Sequence, residues 1–240
     1  MKKIVLCGII SFLFMVTPMQ SFAGPSVDIA AILRKCNAAF AGVNDYSCIL
    51  HRKDVVNGTM KEHSNVLFQY KKPSRFYMKW LKYKIEAIYA EGKYNNKMVI
   101  HGGLLFNFVS IAVDPKAALK YSRHTLPEAD IGHILKLVET NYRKAEADKD
   151  ASVVFEQEEK LDQRMTWRFK AVFPADRDYY GHVIHINIDK ELYLPIKIKV
   201  LGWKNELLEE YYYEDLKVNV GLTDENFDVN NKEYKFKVGY

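Results

Sequence analysis

Between Val66 and His101 apolar side chains return at every second position: Phe68 and Tyr70, then Phe76, Met78 and Trp80, then Ile85, Ala87 and Tyr89, then Met98 and Ile100. A period of two belongs to a strand with one apolar face. The stretch therefore predicts four short strands in series, separated at Pro73, Gly92 and Asn95-Asn96. Its apolar face is rich in rings, and the other face of the middle strand carries Arg75, Tyr77 and Lys79. A curved sheet is expected, with an aromatic concave side and a basic convex side.

The same alternation organises most of the chain. Ahead of it, Ile29, Leu33, Cys36 and Phe40 follow one helical face, with Ser26 as the expected cap and an end near Gly42. From Tyr46 the period becomes two, and Asn57-Gly58 marks a tight hairpin. Strands are expected at about 59–72, 74–82, 85–91 and 96–101, with another from Leu104 to Val113 closed by Asp114-Pro115. Residues 115–122 suggest a short helical turn. Pro127 reads as the start of a longer helix with Ile131, Ile134, Leu135, Val138 and Tyr142 on one face. Strand periodicity resumes at Val153 and carries Trp167, Phe169, Ala171 and Phe173, then Ile184, Ile186 and Ile188, then Leu194 to Val200, then Leu207 to Val220. About ten antiparallel strands and two substantial helices make an α+β chain in which the helices can cover the open side of a sheet.

The N-terminus breaks this pattern and changes the picture. Lys2 and Lys3 precede an apolar run from Ile4 to Val16, then Pro18 and Ser21-Phe22-Ala23. This is the layout of a secretory signal peptide cleaved near Ala23, leaving 24–240 as one soluble domain without an anchor. Losing Lys2 and Lys3 lowers the formal charge from +5 to about +3, so charge alone points to no polyanionic partner. Cys36 and Cys48 remain, and in an oxidising compartment a disulfide is the default, worth about 3 kcal/mol for a loop of this length. Two buried free thiols are the alternative.

Candidate chemistry is sparse. No nucleophile elbow, zinc-protease, P-loop or dinucleotide motif is present. His182 and His185, three apart on a strand, face opposite sides and make a poor metal pair, so neither metal nor cofactor is expected. Arg123, His124, Asp130 and His133 are the densest polar cluster, open to an acid–base reading or to plain helix capping. Arg123 is also the best candidate to grip an anionic head group. Lys71, Lys72, Arg75, Lys79, Lys82 and Lys84 could touch anionic lipid or simply protect a solvated strand. Nucleic acid is not an expected partner of an exported chain. Strand parity nominates Phe76, Met78, Trp80, Trp167, Phe169 and Ile186 as lining of an interior that is either a ligand cavity or a packed core.

Tyr46-Ser47-Cys48, the Pro-Ser-Arg-Phe-Tyr-Met-Lys-Trp segment from Pro73 to Trp80, Asp114-Pro115, Arg123-His124 and the closing segment from Tyr213 to Phe227 together resemble an uncharacterised bacterial family within or near the LolA/LolB-like superfamily of periplasmic carriers and sensors. The resemblance covers nearly all of the chain after the signal. It implies a curved antiparallel half-barrel closed by helices over a hydrophobic cavity, and a periplasmic carrier or binding protein for a lipid, a lipoprotein acyl chain or another apolar ligand. The functional arginine and handoff loop of the LolA family have no matching position here. Two other readings are a hydrolase centred on Arg123, His124 and Asp130, and a structural or protein-binding envelope module using a sheet edge or the strip from Tyr211 to Tyr213.

Overall fold

The computed structural model describes residues 27–102 and 106–237; the expected signal peptide and Ser26 lie outside them. The described chain runs α1 (Ile29–Ala41), β1 (Asp45–Val56), β2 (Thr59–Lys71), β3 (Arg75–Trp80), β4 (Ile85–Ala90), β5 (Met98–Gly102), β6 (Phe106–Val113), α2 (Ile131–Ala147), β7 (Ser152–Leu161), β8 (Arg164–Val172), β9 (Val183–Asp189), β10 (Pro195–Leu201) and β11 (Leu207–Val218). Among the described residues the strands form one sheet of eleven, in the order β6-β5-β4-β3-β2-β1-β11-β10-β9-β8-β7. Each half is a meander of neighbouring antiparallel strands, and the first and last strands pair at the centre. The sheet does not close, so β6 and β7 remain edges.

Local chemistry sets these elements. Asn57 and Gly58 both take positive φ, as a two-residue hairpin turn requires, and Val56 pairs with Thr59. Bulges bend the central strands: the β1–β2 register slips between Leu50 and Arg52 opposite Asn65 at φ 56°, and the β1–β11 register slips between Ser47 and Ile49 opposite Asp215 at φ 52°. Asp28, two residues later than the expected Ser26, caps α1 by accepting from Ala31 N at 2.8 Å. Pro127 opens only a short 3-10 turn, Leu126–Glu128. The longer helix begins at Ile131, where Asp130 accepts from His133 N at 3.0 Å.

The main core fills the concave side, where Tyr46, Phe68, Tyr70, Phe76 and Met78 pack with Tyr89, Ile184, Ile186 and Ile198 beneath α1 and α2. The convex side differs from expectation. Tyr77, Ile88, Ala90 and Val99 are buried there under Leu222, Phe227, Val229, Tyr234 and Phe236 of the segment after β11. That segment crosses from β11 to β6 as a strap: Lys71 Nζ donates to Leu222 O at 2.5 Å, Arg75 pairs with Asp224, Tyr77 stacks on Tyr234 at 4.2 Å, and Ser110 N donates to Lys237 O at 3.0 Å. The basic convex face is therefore corrected. Lys71 and Arg75 are tied to the strap, Lys79 to buried Glu86 at 3.0 Å, and Lys72 Nζ caps α1 by donating to Phe40 O at 2.7 Å, which leaves Lys82 and Lys84 exposed.

The expected disulfide is also corrected. Cys36 and Cys48 are both free and buried in the concave core. Burial pushes the Cys36 thiol up to about 12 and the Cys48 thiol well above its ordinary range, so both behave as small apolar side chains.

Candidate functional site

The hollow of the sheet is not uniform. Around Phe76 and Met78, rings fill the space: Phe76 lies 5.2 Å from Tyr70 and 5.9 Å from Phe68, and Phe76 and Met78 are at most 2% exposed. Towards the other end, α1 and α2 leave an apolar cleft against β7, β8 and β9. Ile29, Ile32 and Leu33 of α1, Val138 of α2, and Val153, Phe169, Ile184 and Ile186 of the sheet line it. It encloses about 40 Å³. Its main polar side chain, Asn141, is already engaged, donating to Leu137 O at 2.7 Å.

The six residues nominated by parity therefore divide. Phe169 and Ile186 line the cleft, while Phe76 and Met78 belong to the packed end. Trp167 is half-buried at the rim beside Tyr193 and under Lys190 Nζ. Trp80 is half-buried at the end of β3, edge-on to His63 at 6.3 Å, and its indole N–H, expected to find a partner, meets none among the described residues.

A buried polar cluster adjoins the cleft, where the segment before α2 crosses β1 and β11. Glu209, 1% exposed, is its centre. His124 Nε2 lies 3.0 Å from Glu209 Oε2, Tyr180 donates its hydroxyl to the same oxygen at 2.9 Å, and Arg123 Nε stands at 3.6 Å. Asp54, fully buried, accepts from Tyr211 Oη at 2.5 Å and from Arg123 N at 3.0 Å. Tyr180 links cluster to cleft, because its backbone N–H donates to Asn141 Oδ1 at 3.5 Å. A space of about 20 Å³, room for one water, lies between His124, His133, Glu209 and Tyr211.

The electrostatics follow from burial and pairing. Burial disfavours charge on His124, yet the hydrogen bond and charge of Glu209 outweigh it and raise its pKa above the ordinary histidine value. His133, 5.2 Å away ring to ring, moves down, through burial first and then the neighbouring His124. Tyr180 is raised by burial and by Glu209.

Of the cluster read from sequence, Arg123, His124 and His133 come together. Asp130 does not join Arg123 and His124 on Glu209; it caps α2, and Ile131 N beside it donates to Tyr46 Oη at 3.3 Å. Of the hydrolase reading's three residues, Arg123 and His124 share Glu209, while Asp130 is held in the α2 cap. Glu209, Tyr180 and Asp54 were missed. Glu209 carried a signal, a carboxylate at the same strand parity as Tyr211 and Tyr213 on an apolar face. His182 and His185 lie apart as expected, one against Phe173 O at 2.7 Å and the other against Glu156 at 3.0 Å. Among the described residues no group of His, Cys, Asp and Glu could hold a metal, and no helix is long and apolar enough to cross a membrane.

An open, curved antiparallel sheet with two helices laid in its hollow defines an α+β protein of the LolA-like half-barrel class. Within it, the chain belongs to the DUF1571 family, described as "Protein of unknown function (DUF1571)", whose model matches residues 43–236. A comparison with curated proteins gives no match. Among solved structures the chain is similar to MucB in the Pseudomonas aeruginosa MucA/MucB complex, at 15% identity and TM-score 0.46, covering 84% of this chain and 61% of that one. It is similar to the Mycobacterium tuberculosis lipoprotein LppX at 11% identity and TM-score 0.43, covering 83% and 100%. A LolA superfamily protein from Nitrosomonas europaea matches at 10% identity and TM-score 0.29, covering 85% and 98%. The chain spans less than two thirds of the MucB chains it matches, 63% and 61%.

Proposed function

We propose that the protein is a periplasmic carrier or binding protein for a lipid, an acyl chain or a comparable apolar ligand, held between the helix pair and β7–β9. The observation that supports this most is the contrast within one hollow: a solid aromatic end around Phe76 and an apolar cleft around Phe169 and Ile186 with no polar group awaiting a partner. At about 40 Å³ the cleft admits a few methylenes, so a full chain enters only if α1 and α2 move outward. That motion would have to break or carry along the polar ties of the two helices: Lys35 Nζ donates to Tyr193 Oη at 3.4 Å, Lys72 Nζ to Phe40 O at 2.7 Å, Lys144 Nζ to Asp178 O at 2.7 Å, Ile131 N to Tyr46 Oη at 3.3 Å and Tyr180 N to Asn141 Oδ1 at 3.5 Å. Arg123, half-buried beside the cleft and 3.6 Å from Glu209, is placed to turn towards an anionic head group.

Native mass spectrometry of the exported protein, together with titration by a fluorescent fatty acid, tests this. Ligand should co-purify and the probe should bind. Ile186→Trp, which fills the cleft at a cost of about 1 to 3 kcal/mol, should weaken the probe at least about tenfold. A reproducibly empty protein that ignores the probe ends the carrier reading.

A further inference from the structure

The two halves of the sheet part company along β11. On one side β11 pairs with β1 all the way to Val218, opposite Tyr46. On the other its ladder with β10 stops at Tyr212, opposite Lys197. Pro195, which opens β10, has no N–H to extend the ladder. The stretch from Tyr213 to Val218 thus runs roughly 20 Å, at about 3.3 Å per residue, with no strand partner on its β10 side among the described residues.

A hollow of about 460 Å³ lies against this edge, bounded by the β7–β8 turn from Leu161 to Arg164, by Glu191 and Ile196, and by Tyr212 to Asp215. Its apolar surface comes from Leu161 and Tyr212, both half-buried, while Ile196 and Tyr213 beneath are covered at 1% and 3% exposed. Its walls are acidic: Asp162, Glu191, Glu214 and Asp215 face one cation, Arg164. Arg164 is occupied, donating to Asp189 Oδ2 at 3.0 Å and to Leu216 O at 3.1 Å. The second bond shows a carbonyl of the unpaired edge turned towards the hollow and accepting from a side chain where a neighbouring strand would supply a backbone N–H. Glu214 also holds His51 at 2.6 Å and Asp215 holds Lys217 at 2.8 Å; Glu191, exposed at the mouth, stands 3.9 Å from Arg164, and Asp162 is exposed beside it.

We propose that this seam takes an extended peptide segment of a partner protein as an added strand along Tyr213–Val218. Its apolar side chains would alternate inward onto the half-buried Leu161 and Tyr212, and its lysines or arginines outward to Asp162 and Glu191. Backbone pairing supplies affinity to an open strand edge, and alternate side chains supply selectivity. The charge of the walls selects a basic segment over a neutral or acidic one.

The test uses a fluorescein-labelled hexapeptide of alternating valine and lysine, read by anisotropy at low salt. It should bind saturably. A valine–glutamate peptide should bind at least about tenfold more weakly, as should the lysine peptide with alternate amides N-methylated. The double variant Asp162→Asn, Glu191→Gln neutralises the two exposed carboxylates, keeps at 162 a residue that tolerates the turn's φ of 50°, and should lose at least about tenfold in affinity with its urea midpoint close to the parent's. Equal binding of the acidic or N-methylated peptide overturns the proposal, as does no binding of the lysine peptide at millimolar concentration. Concentration-dependent dimers abolished by the same double variant also overturn it, because the occupant is then a second copy of this chain. The apolar cleft shares no lining residue with this seam, so Ile186→Trp should still bind the lysine peptide saturably.

Discussion

Phe76 and Ile186 share one core and differ in their surroundings. Phe76 is fully enclosed by rings, so Phe76→Ala leaves a void and should lower stability by about 3 to 5 kcal/mol in a urea titration, with no change in binding of an apolar probe. Parity in the sequence identified both as inward-facing and had no means of separating them, because packing around an inward residue depends on helices placed by other parts of the chain. Glu209 is a second case. Glu209→Gln removes the charge that offsets the burial of His124 and leaves Arg123 without its carboxylate. The expected results are a fall in the His124 pKa by NMR titration and a stability loss of about 3 kcal/mol. A His124 that titrates unchanged would show that Glu209 does not hold it.

At the scale of elements, the start of α2 carries a pH dependence. His133 is faced by His124 from the preceding segment, Glu128 from the 3-10 turn, Asp130 from its own cap and Glu209 from β11. His124, with a raised pKa, adds stability that is complete below the unfolded value of 6.5 and is lost as pH rises through its folded value. His133, with a lowered pKa, works the other way. Unfolding lets it take up a proton that the fold resists, so stability is lost as pH falls below 6.5. His133→Gln should remove that second loss, and urea midpoints of variant and parent should diverge in the variant's favour as pH falls below 6.5. The histidines were visible in the sequence as a cluster in a helical insert. Their partners were not, since Glu209 is 85 positions from His124 and Tyr180 is 56 away on a loop with no period.

At the scale of the whole molecule, the alternation made the meanders, the helical insert and the half-barrel legible, and the strap was invisible. Leu222, Phe227, Val229, Tyr234 and Phe236 follow neither a period of two nor one of 3.6, so nothing marked them as a layer over Tyr77 and Ile88. The same blindness turned Arg75 and Lys79 into an open basic face, when their partners Asp224 and Glu86 come from the strap and from the next strand. Phe227 is fully buried under this layer, and Phe227→Ala should cost about 3 kcal/mol while leaving the concave core and its probe binding alone.

The strap also makes the two leaves of the sheet mechanically unequal. The stretch from β2 to β5 is laminated, with side chains packed on both surfaces, whereas no second apolar cluster lies on the outer surface of β7 to β10 among the described residues. A leaf covered on one surface only yields more readily than one covered on both, so amides of β8 and β9 should exchange with deuterium faster than those of β3 and β4, and if a ligand displaces the helix pair as proposed, the thin leaf is the one to bend. The line about which it bends is where the β10–β11 ladder runs out at Tyr212. A strand seated on that line would act as a splint, and whatever stiffens the bend must alter, by the same free energy in both directions, how readily the hollow accepts a chain.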